Sequence, residues 1–205
     1  MKTALKRQDW LIRRIEQDRR REWNYVVLQS WQDIVDDPDA GYAAYVKKWV
    51  ELIREVGAEP ILYITAPHAQ NAEPVDGPVE VGQTEREMRA IRRLIEKVRP
   101  YAVVPVPLAI QAVQEGGTNL TFRYVNDFHP NQTTAFLTAN MFYAALSGKS
   151  PEGLNFNTVT ETNDKGAGAG KDPDGGEATV EFDEATKVYL QKIAYESIKL
   201  LESIE

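Results

Sequence analysis

The stretch "VNDFHPNQTT" (residues 125–134) contains one of the chain's two histidines, next to an acid and a helix-start signal. Asp127 stands two residues before His129, and Pro130 and Asn131 follow it. Proline suits the first turn of a helix, and asparagine can cap it. An acid this close can hold imidazole Nδ1–H and stabilise the imidazolium that forms when the other nitrogen takes a proton. The pattern fits a catalytic base with its orienting acid, and equally a capping turn with a surface histidine.

Three short apolar runs predict the sheet that must position this pair. Each run is rich in β-branched or aromatic residues without polar alternation, which is typical of parallel strands covered on both faces. The runs are residues 24–29, 60–65 and 101–106. Amphipathic helices are predicted over residues 40–58, 82–100, 107–117, 131–148 and 183–205. Thr84 and Asp183 are the expected caps of the second and last helices. Strands that alternate with helices predict an α/β fold, a three-layer α/β/α, flavodoxin-like sandwich around a parallel sheet.

Ligands of parallel α/β sheets bind beyond the carboxyl ends of the strands. Gln29 and Ser30 end the first run and His68 follows the second, so we expect a substrate and oxyanion pocket there. Ser30 lacks the Gly-x-Ser-x-Gly elbow that exposes a nucleophile, so a cap or pocket-lining role is favoured over a nucleophilic one. Two histidines and scattered acids fall short of the roughly three protein ligands of a catalytic zinc ion. No metal and no cofactor are predicted.

Composition and charge exclude several classes of function. The chain has no cysteine, which rules out thiol catalysis, and no apolar run long enough for a membrane span. The net charge is −7, although residues 1–22 carry eight Lys/Arg against four Asp/Glu. We interpret that segment as a basic amphipathic helix rather than a nucleic-acid site, because the chain as a whole is acidic. The start lacks the apolar region of a signal peptide, so the chain as it stands is expected in the cytoplasm, and an upstream signal would change that.

The domain organisation follows from one break in the pattern. Residues 155–182 are rich in Gly, Asp and Lys, which predicts a flexible surface loop. The α/β core is then expected over residues 23–154, between the basic helix of residues 1–22 and this loop. A C-terminal helix over residues 183–205 is expected to pack back on the core.

Several segments together resemble the SGNH/GDSL-type hydrolases. In that superfamily the last sequence block reads Asp-x-x-His-Pro and opens the final helix. The resembling segments are "VNDFHPNQTTAFLTANMFYAALSGKSP", "WNYVVLQSW", "GAEPILYITAP" and, around an insertion, "GKSPEGL" with "ATKVYLQKIAYESI". The resemblance implies a serine esterase or acetylesterase that uses no metal. It also implies that His129 is the base, that Asp127 orients it, and that Gln29 lies near the oxyanion donors.

Two departures from the family pattern bear on activity. The family places its acid three residues before the histidine, where this chain has Asn126, whereas Asp127 is two before it. An asparagine can orient imidazole but cannot offset its charge, and an Asp→Asn change in serine proteases lowers turnover by roughly 10⁴. Nothing in residues 1–23 resembles the family's first strand with its Gly-x-Ser nucleophile. The resemblance therefore implies an N-terminally truncated chain whose serine is encoded upstream.

The sequence thus predicts an SGNH-type ester hydrolase, with a carbohydrate acetylesterase as one form of it. This chain would carry the His/Asp end but not the serine nucleophile, and its substrate would be a small-molecule or carbohydrate ester. The alternative is a non-catalytic, degenerate hydrolase scaffold that acts as a binding or interaction protein. Three strands leave a long sheet edge open, which favours self-association or a partner there, unless the N-terminal helix covers it.

Overall fold

The computed structural model describes residues 23–31, 34, 35, 37–66, 75, 77, 82–162 and 170–203. The predictions for the helix of residues 1–22 and for His68 lie outside these described residues. In chain order the elements are β1 (Tyr25–Gln29), α1 (Gly41–Glu55), β2 (Glu59–Ile64), α2 (Gln83–Val98), β3 (Ala102–Pro105), α3 (Val106–Glu115), α4 (Gln132–Ser147), β4 (Thr158–Thr160), β5 (Thr179–Glu181) and α5 (Glu184–Ser203). The predicted mixed α/β class is confirmed. None of the helices in the described ranges combines the length and apolar character that a membrane span needs.

The main sheet is parallel and orders its strands β1-β2-β3. Ile61 lies opposite Val27 of β1, and successive side chains alternate between the two faces. Leu62 and Ile64 pack into one core with α1 and α2, while Ile61 and Val104 pack into a second core with α4 and α5. Helices therefore cover both faces of the central strand. The finer flavodoxin-like, SGNH-like arrangement and the N-terminal truncation remain predictions.

Strand β1 is less covered than its apolar sequence predicts. Tyr25 is 42% exposed and Val27 is 46% exposed. Both lie on the face that α4 and α5 cover at β3, but those helices do not bury β1 in the same way. The expectation that all three strands are covered on both faces is therefore wrong for β1. The run resembles a buried strand in composition, yet one of its faces meets solvent.

Local signals at helix ends are mostly confirmed. Gly57 follows α1 with a φ of 81°, a conformation that glycine adopts without steric cost. The side-chain oxygen Oδ1 of Asp183 accepts the Thr186 N–H at 2.8 Å at the start of α5, as a cap should. Thr84 is not the cap of α2, because that helix begins one residue earlier, after Gly82, and buries Thr84 completely in its first turn.

Residues 155–182 contain a small antiparallel hairpin. Strand β4 pairs with β5, and Val159 lies opposite Val180. Ala178 and Phe182 are buried against the body of the chain. The predicted flexible loop is therefore corrected at its two flanks, which form strands of three residues each. Residues 163–169 lie outside the described residues.

Candidate active site

A cavity of about 250 Å³ lies at the carboxyl ends of the three parallel strands. Its lining comes from all three strand ends and from the segment that leads into α4. The described lining residues are Gln29, Trp31, Tyr63, Thr65, Ala66, Val106, Ile110, Phe122, His129, Pro130 and Thr134. Most of these side chains are apolar or aromatic, and His129 is the one suited to acid–base chemistry near neutral pH. The cavity is therefore at the edge where a ligand site was predicted.

The segment 122–131 folds back on itself and brings His129 to the cavity. The Tyr124 N–H donates to the His129 carbonyl at 3.2 Å. The Asn131 N–H donates to the Phe122 carbonyl at 3.3 Å. These two hydrogen bonds close the base of the loop. Residues 125–128 form the turn between Tyr124 and His129.

Asn131 ties this loop to the start of α4. Its Oδ1 accepts the Thr134 N–H at 3.2 Å, so the predicted cap is confirmed. Its Nδ2 donates to the Thr121 carbonyl at 2.9 Å, and the Thr134 hydroxyl donates to the Phe122 carbonyl at 2.6 Å. His129 is consequently held two residues ahead of a well-anchored helix terminus.

Asp127 and His129 form a directly bonded pair. The imidazole Nδ1 of His129 contacts Oδ1 of Asp127, and the same oxygen accepts the His129 backbone N–H at 3.0 Å. The His129 side chain is 75% exposed, while that of Asp127 is 26% exposed. With Nδ1 facing the carboxylate, Nε2 is the nitrogen left for proton transfer, as in a base-plus-orienter pair.

The environment keeps Asp127 ionised. Partial burial by itself raises the pKa of the Asp127 carboxyl. The hydrogen bonds from the His129 imidazole and from its backbone N–H favour the charged form and outweigh that effect, so the net pKa of Asp127 is lowered. A carboxylate that stays charged can offset a positive imidazole during catalysis.

Asn126, three residues before the histidine, has a different partner. Its backbone N–H donates to Oδ1 of Asp174 at 2.7 Å, and the residue is exposed. In the described contacts Asp127, not Asn126, bonds His129. Of the two alternatives that the sequence left open, the geometry therefore favours Asp127 as the orienting residue.

Ser30 is completely buried and bonded to the adjacent strand end. Its Oγ accepts the Thr65 N–H at 3.0 Å, and its carbonyl accepts the Thr65 hydroxyl at 2.9 Å. Ser30 is not among the described residues that line the cavity, although Gln29 beside it is. Gln29 and His129 thus both line this cavity. Ser30 has a buried hydroxyl, and its hydrogen bonds with Thr65 link the end of β1 to the end of β2.

The other serines of the chain lie elsewhere. The sequence has five serines, and the remaining four are Ser147, Ser150, Ser197 and Ser203, in or beyond α4 and in α5. None of the five is among the described residues that line the cavity. In the same described part of the chain, no three His, Asp or Glu side chains are grouped to hold a metal ion. Among the described lining residues, the cavity therefore offers a candidate general base and no serine.

Sequence reasoning missed two kinds of residue at this site. Trp31 and Tyr63 line the cavity, and the alternation of side chains along β1 and β2 could have predicted them, since both lie on the face that holds Gln29. Asp174 bonds the loop from 48 residues away, and no local pattern signals that contact.

Comparisons with models of protein families, with curated proteins and with solved structures found no match for this chain.

Proposed function

We propose that this chain carries the acid–base half of an SGNH-type ester hydrolase. The observation that supports the proposal is the His129–Asp127 pair beside a cavity at the carboxyl ends of parallel strands. The sequence resemblance described above points to the same chemistry. The pair has the features of a general base: Nε2 of His129 for proton transfer, a ring oriented through Nδ1, and the adjacent negative charge of Asp127.

In the proposed reaction Nε2 of His129 takes the proton of the attacking hydroxyl as the ester carbonyl becomes tetrahedral. It then returns that proton to the departing alkoxide. Asp127 keeps Nδ1 protonated and offsets the charge of the imidazolium between the two steps. General acid–base catalysis of this kind typically contributes about 10²–10⁴ to the rate.

None of the described residues of this chain is assigned the role of nucleophile. Ser30 is buried and hydrogen-bonded, and no serine is among the described residues that line the cavity. A full serine mechanism therefore needs a hydroxyl from another segment. The chain on its own is expected to act on activated esters slowly, with water as the nucleophile.

The cavity favours a small acyl group. Its volume of about 250 Å³ and its aromatic and aliphatic lining suit an acetyl group better than a long polar acyl chain. Trp31 lines the cavity and is 51% exposed, so its ring can stack on the apolar face of a sugar. Acetylated carbohydrates are the proposed substrate class.

Hydrolysis of p-nitrophenyl acetate tests the role of His129. We expect a rate above that of buffer, and a loss of about 10² or more in His129→Ala. The matched control is Lys149→Ala, which removes an exposed basic side chain that is not among the described lining residues of the cavity and should leave the rate unchanged. Equal rates in wild type and His129→Ala would remove the proposal.

A fluorophosphonate probe tests the assignment of the nucleophile. We expect no labelling of this chain, because none of its serines is among the described residues that line the cavity. Labelling that maps to Ser30 and disappears in Ser30→Ala would return the nucleophile to the chain and overturn that assignment.

A second candidate function is that of a binding scaffold, and the uncovered face of β1 supports it. Trp23, Tyr25, Val27 and Trp31 are each between 42% and 51% exposed on or next to this strand. Exposed apolar strips on outer strands favour association with another chain. Light scattering on Val27→Lys, with Val35→Lys as an equally exposed control away from the sheet, tests this function. An assembly that survives Val27→Lys would contradict it.

A further inference from the structure

The loop that carries the His129–Asp127 pair is hydrogen-bonded through its backbone to the carboxylate of Asp174, a grip from 48 residues away in sequence. Oδ2 of Asp174 accepts the Val125 N–H at 2.7 Å, and its Oδ1 accepts the Asn126 N–H at 2.7 Å. Two consecutive peptide groups are thereby bound by one charged group. Hydrogen bonds with a charged acceptor are shorter and stronger than neutral ones, which fits these distances.

The turn that presents Asp174 is itself fixed by hydrogen bonds. Oδ1 of Asp172 accepts the Asp174 N–H at 3.0 Å and the Gly176 N–H at 2.7 Å. The Asp172 N–H donates to the Gly176 carbonyl at 3.1 Å. These hydrogen bonds within the turn of residues 170–177 fix the Asp174 backbone independently of its contacts with the loop.

A second set of contacts joins the hairpin to the same segment on either side of His129. The Tyr124 hydroxyl donates to Oε2 of Glu161 at 2.9 Å, and the Gln132 side-chain amide donates to the Ala178 carbonyl at 3.2 Å. Gln132 and Ala178 are both buried, so the bond between them is shielded from water, whereas the Tyr124–Glu161 bond is partly buried. The hairpin is thus attached both before and after the histidine.

Side-chain burial contributes little to fixing this loop. Val125 is 63% exposed and Phe128 is 61% exposed, although the Phe128 ring also contacts the Arg123 guanidinium, whose Cζ lies 5.2 Å from the ring centroid. The backbone N–H groups of the loop are bound by the Asp174 carboxylate on one side and the Asp127 carboxylate on the other. We propose that Asp174 is a positioning residue that sets the register in which Asp127 meets His129.

This inference rests on the proposed function for its catalytic meaning, but its physical content can be measured without catalysis. Freezing the peptide groups of Val125 and Asn126 leaves Asp127 as the acid within reach of the imidazole. Loss of the grip frees the loop, and the imidazole then loses its fixed partner. Asp174 touches neither ring nitrogen and acts through the backbone.

Amide hydrogen exchange on the full chain, read by NMR, tests the grip. In Asp174→Asn, which keeps one oxygen acceptor, the Val125, Asn126 and His129 amides are expected to exchange about tenfold faster or more. The ¹⁵N shifts of the His129 ring should also show a larger share of the Nε2–H tautomer. The matched control is Glu177→Gln, which removes one charge from the same turn but bonds Lys171 instead of the loop.

The outcomes separate this inference from the proposed function. Unchanged exchange and an unchanged tautomer in Asp174→Asn would overturn the positioning role and leave the ester-hydrolase proposal intact. Equal changes in Glu177→Gln would also overturn it, since they would reflect loss of charge alone. If His129→Ala leaves the rate of p-nitrophenyl acetate hydrolysis unchanged, the ester-hydrolase proposal is contradicted. The exchange data would still decide whether Asp174 orders the loop.

Discussion

Oδ1 of Asp127 faces both nitrogen donors of one residue: the imidazole Nδ1 and the backbone N–H of His129, the latter at 3.0 Å. One oxygen thereby fixes the ring and the backbone together. A residue two positions before the histidine can do this because the loop turns sharply between them. The spacing of the two residues is one shorter than in the Asp-x-x-His-Pro block that the sequence resembles.

Asp127→Asn should lower hydrolysis of p-nitrophenyl acetate by about 10² to 10⁴, because an amide can orient imidazole but cannot offset its positive charge. Steady-state rates near neutral pH measure the effect. Asn126→Ala is the matched control, since Asn126 contributes a backbone N–H to Asp174 and should keep that bond. An equal loss in Asn126→Ala would transfer the orienting role to that position.

The same pair should make folding stability depend on acid pH. The folded pKa of Asp127 lies below its ordinary value of about 3.9, so the unfolded chain binds more protons between the two values. Its contribution is fully present above about pH 4 and is lost as pH falls through the folded pKa. Urea unfolding from pH 2.5 to 6 should show a shallower pH slope in Asp127→Asn. Identical slopes in the two proteins would contradict this linkage.

The buried Tyr124 should make folding stability depend on alkaline pH. Burial, the hydrogen bond to Glu161 and the negative charge of Glu161 raise the pKa of Tyr124 far above that of a free phenol, with smaller effects from Asp172 and Asp174. The stabilisation is present below about pH 10 and is lost as pH rises beyond it, where the unfolded chain ionises first.

Unfolding measured between pH 8 and 11 should therefore show less loss of stability in Tyr124→Phe than in wild type. Glu161→Gln keeps the phenol but removes its charged neighbour, so it should weaken the same slope. A slope that neither variant changes would mean that Tyr124 does not govern it.

Ser30→Ala should destabilise the fold without acting on the chemistry. The change leaves the buried Thr65 N–H without its acceptor, which costs about 1–3 kcal/mol. Urea denaturation measures that cost, and Ser147→Ala, at an exposed position at the end of α4, is the control. Loss of His129-dependent hydrolysis in folded Ser30→Ala would contradict the structural role.

The sequence predicted the parallel sheet and its helices because local composition dictates them. Runs such as 60–65 are β-branched and uninterrupted, and helix ends carry Gly57, Asn131 or Asp183 as direct signals. Strands β4 and β5 escaped prediction because each has three residues and a polar, glycine-rich segment separates them. Their pairing depends on burial of Ala178 and Phe182, which no local pattern reports.

The candidate site divides in the same way. His129 and Asp127 were predictable because the chemistry lies within three residues of sequence. Asp174 was not, since its contact with Asn126 spans 48 residues and is made to backbone N–H groups that every sequence has. Ser30 showed the limit of position alone: a serine at a strand end can bond either to a ligand or to the next strand, and here it bonds Thr65.

The partial exposure of β1 has an optical consequence. Trp23 and Trp31 bracket the strand, one at each end, and both are roughly half exposed, but of the two Trp31 is the one that lines the cavity. A molecule that enters the cavity should quench or shift the fluorescence of Trp31, whereas a chain that docks along the strand should alter both indoles. Fluorescence spectra of Trp23→Phe and Trp31→Phe therefore distinguish ligand entry into the cavity from docking of another chain along β1.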